Sequence, residues 1–136
     1  MRKLPAVALL LLPTIALFFS LEALAATHPS PEAVYLNQGN KLFNHYRATD
    51  DQKSLELAIE EFSKAIALNP DFADAYNNRG TAYYLLGEQD KARRDFRTAL
   101  SIDPKNVPAK KNLEMLKWKK LTSRRAWRQR EIPLSP

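Results

Sequence analysis

The sequence has no cysteine, and its 136 residues include only three glycines, two histidines and two methionines. The missing Cys excludes disulfides, thiolate metal sites, a Cys nucleophile and a lipid-modified N-terminal Cys. His28 and His45 do not cluster, which argues against a His-rich metal site. Three glycines leave little from which to build a phosphate-cradling loop, and no Walker or calcium-loop sequence is present. No cofactor and no metal are therefore expected. What stands out is charge: 21 Lys and Arg against 15 Asp and Glu, a formal net charge of +6. Such an excess points to an anionic partner, provided that it is spread over the whole chain.

It is not. Met1–Arg2–Lys3 is a short cationic start, followed by an uncharged run from Leu4 to Phe19 and the small-residue triplet Ala23–Leu24–Ala25. This is the three-part layout of a secretory signal peptide with cleavage near Ala25, so the chain is expected to be exported to a periplasm, lumen or medium. The alternative is an uncleaved N-terminal anchor, but the run is short for a crossing, which takes about 20 residues, and Pro5 and Pro13 interrupt it. Beyond residue 25, positions 26–104 carry nine basic and twelve acidic residues, and positions 105–136 ten basic and two acidic. The body is mildly acidic and one end is strongly cationic. Nucleic acid is not an expected partner for an exported chain of this kind.

An internal repeat organises the body. Tyr76, Gly80 and Tyr83 recur at i, i+4 and i+7, one face of a helix, and Ala92, Phe96 and Ala99 repeat that spacing on a second. Gly87 stands where a left-handed C-cap favours Gly, Asp90 is placed to cap the second helix, and Pro104 ends it. Ala58, Phe62, Ala65 and Pro70 lie 34 positions before Ala92, Phe96, Ala99 and Pro104. Tyr35, Gly39 and Leu42 precede Tyr76, Gly80 and Tyr83 by 41 positions, which leaves a seven-residue insertion in the first copy. Ser30–Pro31–Glu32 reads as an N-cap, a Pro at the first helical position and an acid in the first turn. Thr49–Asp50–Asp51–Gln52 has the form of a capping box, which predicts a lengthened second helix from about Asp50 to Leu68 with Thr49 as its N-cap.

These positions resemble the tetratricopeptide repeat over about residues 32–106. The resemblance implies an all-α fold: two helical hairpins of an α-solenoid followed by a capping helix. The organisation is then a leader at 1–25, a linker at 26–31, a first repeat at 32–72, a second at 73–106, a basic capping helix at 107–130 and a tail at 131–136. Leu113, Leu116 and Trp127 share a stripe with Ala109 on the capping helix. Repeat arrays usually need about three units, so a core of two repeats and a cap would gain from a partner or from self-association.

No catalytic constellation is present. His45 could pair with Asp50 or Asp51, but no Ser or Cys nucleophile stands at a relay spacing, and the chain is not expected to be an enzyme. The expectation is protein binding. In the family, the first helices of successive repeats line a concave groove for an extended peptide or a helix. By position the groove residues are Leu36, Asn40, Phe43 and Asn44 in the first copy and Asn77, Asn78, Thr81, Tyr84 and Leu85 in the second. Asn can both donate to and accept from a peptide backbone, and aromatic rings add flat apolar contact. Some members grip acidic C-terminal tails with a clamp of Lys and Asn. Asn40 and Asn78 match its Asn positions, but Leu36, Pro108 and Asn112 stand where cations belong and Lys111 is one position off, so chaperone-tail recognition is not expected. The alternative site is the cationic end: Lys110, Lys111, Lys117, Trp118, Lys119, Lys120, Arg124, Arg125 and Arg128 resemble an anchor for an anionic membrane or wall polymer.

Overall fold

A computed structural model describes residues 29–130, with only the backbone described at 120 and 122–130. The leader lies outside the described residues. Five helices follow one another: α1 (Pro31–Thr49), α2 (Gln52–Leu68), α3 (Ala73–Leu85), α4 (Gln89–Ile102) and α5 (Val107–Arg130). No strand occurs among the described residues, and none of their helices is long and apolar enough to cross a membrane. Helix α1 packs on α2, α3 on α4, and the two hairpins join through α2 and α3, while α5 closes the array on α4.

The small and large residues of the repeat explain how each hairpin closes. A Cβ built on Gly39 would sit 2.5 Å from Cε1 of Phe62, and one on Gly80 would sit 2.8 Å from Cε1 of Phe96. Each ring therefore lies close against a bare backbone, an approach that any larger residue would prevent. Both rings are fully buried, together with Leu55, Ala58, Ala65, Ala92 and Ala99. Helix α5 completes the core with Ala109 and Leu116, and Leu116 meets Ala92 and Phe96 with Tyr83, Tyr84 and Leu113 around them.

The seven extra residues of the first copy do not all lengthen α2. Helix α1 runs five residues past Asn44, the counterpart of the last residue of α3, and α2 starts three residues before Leu55, the counterpart of the first residue of α4. The connection between them is one residue shorter than that of the second hairpin. Thr49 is not the N-cap expected of it. It is the last residue of α1, and its hydroxyl donates back to the His45 carbonyl at 2.8 Å. Asp50 then takes a left-handed conformation with φ 58°, the role that Gly87 fills with φ 84° in the second hairpin. The cap of α2 is Asp51, whose carboxylate accepts from the Lys53 and Ser54 amides at 3.2 Å each and from the Ser54 hydroxyl at 2.6 Å. Asp90 likewise sits in the first turn of α4, not at its cap, and pairs with Arg93 at 2.6 Å.

Hydrogen bonding to Asp51, from the Ser54 hydroxyl above all, holds its carboxyl below the ordinary aspartate range. A folded-state pKa below the unfolded one gives stability that is present above the unfolded value and lost as pH falls through the folded value. Asp51→Ala should therefore lower the melting temperature at about pH 7, and the gap to the parent chain should close by about pH 2. Thermal melts at the two pH values check this; a gap of constant size would contradict it.

A largely buried ion pair ties α3 to α4 inside the second repeat, and the same arginine reaches across the repeat boundary to α2. Arg79 on α3 donates from Nε to Oδ2 of Asp95 at 2.8 Å and from Nη2 to Oδ1 at 2.9 Å, and its Nη1 reaches the Ser63 hydroxyl on α2 at 3.1 Å. The guanidinium lies over the rings of Tyr76 and Tyr83 at 5.5 and 5.9 Å. Burial disfavours the Arg79 cation, but the bidentate bonds and the charge of Asp95 outweigh it, and the pKa stands above its ordinary value.

At the far end, α5 carries Lys110, Glu114 and Lys117 at the positions held by Tyr76, Gly80 and Tyr83 in α3, and all three are exposed. These are the positions through which a first helix receives its own second helix. In α5 they are polar, so no further hairpin can close there.

Candidate functional site

The first helices α1, α3 and α5 present their remaining faces side by side. Between α1 and α3 lies a hollow of about 190 Å³ lined by Asn40, Phe43, Phe62, Asn78 and Thr81. Four of these were expected from position alone. The fifth, Phe62, reads in the sequence as a core residue, and its ring serves both Gly39 and the floor of the hollow. Asn78 bridges the two repeats by donating from Nδ2 to Oδ1 of Asn40 at 2.9 Å.

The other expected groove residues fall elsewhere. Leu36 is half-buried and Asn44 exposed, both outside the hollow. Tyr84 packs on the Ala92–Phe96–Leu116 cluster. Leu85 turns to a second recess, with Tyr46, Asp50, Gln52, Leu55 and Leu86 around it, created by the overhang of α1. Asn77 is buried and not open to a ligand. It donates to Oδ1 of Asn78 at 3.1 Å and accepts at its own Oδ1 from Nδ2 of Asn112 at 3.0 Å. Four amides on three helices thus form one chain, Asn112 to Asn77 to Asn78 to Asn40. Asn112 was missed as a member because only its displacement of an expected cation was visible. That Asn112 lies 34 positions after Asn78 was the available signal.

Of the cationic end, Lys110, Lys111, Lys117 and Lys119 are exposed, and Lys119 sets its Nζ 5.2 Å from the centre of the Tyr84 ring. Trp118 is 67% exposed, with Met115 and Leu121 also open, so it takes no part in the seam of Ala109 and Leu116. The side chains of Lys120, Arg124, Arg125, Trp127 and Arg128 lie outside the described residues. His45 is exposed at the end of α1.

Two helical hairpins, a closing helix and a small hollow on the face of the first helices define an α-helical repeat protein. Residues 51–87 match a family model described as TPR repeat, and residues 73–106 one described as Tetratricopeptide repeat. Among curated proteins, the chain is similar to the small glutamine-rich tetratricopeptide repeat-containing protein 2 of Saccharomyces cerevisiae, 40% identical over 67 residues. That match covers 49% of this chain and 17% of the yeast protein. It is also similar to heat shock protein STI1 of the same organism, 30% identical over 64 residues, covering 47% of this chain and 11% of the relative. The chain thus spans less than a fifth of the length of either. Among solved structures it is similar to the first TPR of Spaghetti (RPAP3) bound to an HSP90 peptide, with a TM-score of 0.49 and 21% identity over 66% of this chain and 93% of that one.

Proposed function

We propose that the chain holds another protein, taking an extended peptide or a helix into the hollow between α1 and α3, and that it acts as a scaffold or assembly factor rather than as an enzyme. The observation that carries this reading is the hollow itself, where the amides of Asn40 and Asn78 stand beside the half-buried ring of Phe43. Amides match a peptide backbone and the ring gives apolar contact at small entropic cost. Export after cleavage near Ala25 belongs to the same proposal, and it would set the partner in an envelope, a lumen or the medium.

The exposure of Trp118, Met115 and Leu121 among lysines favours a second reading, in which α5 rests on an anionic membrane or wall polymer. One experiment separates the two. Crosslinked partner capture from the native host should be lost in the Asn40→Ala/Asn78→Ala variant and survive removal of residues 119–136. Capture that is indifferent to the double substitution but weakens steeply with salt would replace the groove by the cationic end.

A further inference from the structure

The amide chain has a direction, and the direction is fixed at one end. Thr81 donates its only hydroxyl hydrogen to the backbone carbonyl of Asn77 at 2.9 Å. Its oxygen is left as an acceptor, and Asn112 lies 3.3 Å from it. Asn112 must therefore turn its NH2 group, not its carbonyl, toward α3. The same NH2 reaches Asn77 at 3.0 Å, so Asn77 has to present Oδ1 there and its own NH2 to Asn78. Asn78 in turn accepts at Oδ1 and donates to Oδ1 of Asn40. Each amide copies the orientation of the one before it.

From this geometry we infer that Asn112, held by Thr81, is a positioning residue that sets the hydrogen-bonding sense of the hollow and makes it a donor surface. Asn40 spends its carbonyl on Asn78, so its NH2 is what the chain leaves for an occupant. The matching partner group is an acceptor, as in the carbonyl row of an extended peptide, and a partner offering N–H groups at the same place is disfavoured. This specificity rests on the hollow being the binding site, whereas the direction of the chain does not.

The control residue is on α5, outside the hollow, and a single exchange there reverses the chain. In Asn112→Asp the carboxylate can only accept. Asn77 must then donate to residue 112, Asn78 to Asn77 and Asn40 to Asn78, leaving the carbonyl of Asn40 for the hollow. The Thr81 hydroxyl follows by turning to residue 112.

Side-chain amide exchange in 15N-labelled protein reads this without any ligand. In the parent chain Asn78 should show one protected NH2 proton and Asn40 none. In Asn112→Asp a proton of Asn40 should slow on the order of tenfold, as one hydrogen bond implies. Thr81→Val removes the anchor while keeping all four amides, and should give Asn40 intermediate protection even if the Asp variant folds poorly. An Asn40 amide already protected in the parent chain, or unchanged in both variants, overturns the inference. Adding N,N-dimethylacetamide, an acceptor-only probe, should shift the Asn40 NH2 resonance in the parent chain and not in Asn112→Asp. If the exchange pattern appears and the probe shifts nothing, the binding reading fails and the directional role of Asn112 stands.

Discussion

Phe96→Ala is expected to lower the melting temperature by roughly 15–30 °C. The ring is fully buried, it lies against the bare backbone of Gly80, and it shares a cluster with Ala92 and Leu116. Emptying such a site costs about 3–5 kcal/mol, because transfer free energy is lost and the walls cannot collapse onto the gap. A unit of this size is held by about 5–15 kcal/mol in all, and a two-hairpin array has few neighbours among which to spread the loss. A companion pair of variants separates packing from hydrophobicity. Gly80→Ala alone would set its Cβ 2.8 Å from Cε1 of Phe96 and 3.1 Å from Cβ of Asp95, an overpacking worth about 1–3 kcal/mol. Combined with Phe96→Leu, the new methyl enters space that the ring has left, so the double variant should lose less than the two single losses together. Strict additivity in chemical denaturation would show that the ring and the glycine are not one packing unit.

Asp95→Ala should cost about 3 kcal/mol, more than any surface pair in the molecule. The side chains of Asp95 and Arg79 are 9% and 19% exposed, so the substitution strands a cation that burial already disfavours. Removing both charges together tells a different story. Arg79→Met with Asp95→Leu replaces the pair by apolar bulk, and its stability should lie within about 1 kcal/mol of the parent chain. A loss below about 1 kcal/mol for Asp95→Ala would place the pair with the solvated ones, such as Lys64–Glu61 at 2.6 Å. Arg79→Lys is no substitute, since an ammonium cannot serve two carboxylate oxygens and the Ser63 hydroxyl in one plane.

The sequence displayed those parts of the fold that arise from local periodicity. Gly39, Phe62, Gly80 and Phe96 stand at fixed spacings because each hairpin needs one close approach and one large ring, and this need repeats with the helix pair. The left-handed turn at Gly87 was visible for the same reason. Its counterpart at Asp50 was hidden, because Asp tolerates that conformation less often than Gly, and Thr49–Asp50–Asp51–Gln52 satisfied a capping pattern one helix boundary too early. The Arg79–Asp95 pair and the interhelical links of the amide chain join residues 16 to 38 positions apart on different helices. The repeat period relates Asn112 to Asn78 but does not announce the contacts themselves. They exist only once the helices have been set side by side.

The polar face of α5 at Lys110, Glu114 and Lys117 also bears on how such a molecule changes in length over generations. Duplication of the 34-residue segment 73–106 in place, ahead of Val107, would add a hairpin whose two interfaces already exist in the molecule. The same segment appended after Arg130 would meet charge where it needs Tyr, Gly and Tyr. Growth by copying is therefore open in the interior and closed at the end, so longer descendants would retain this last helix unaltered while their middles multiply.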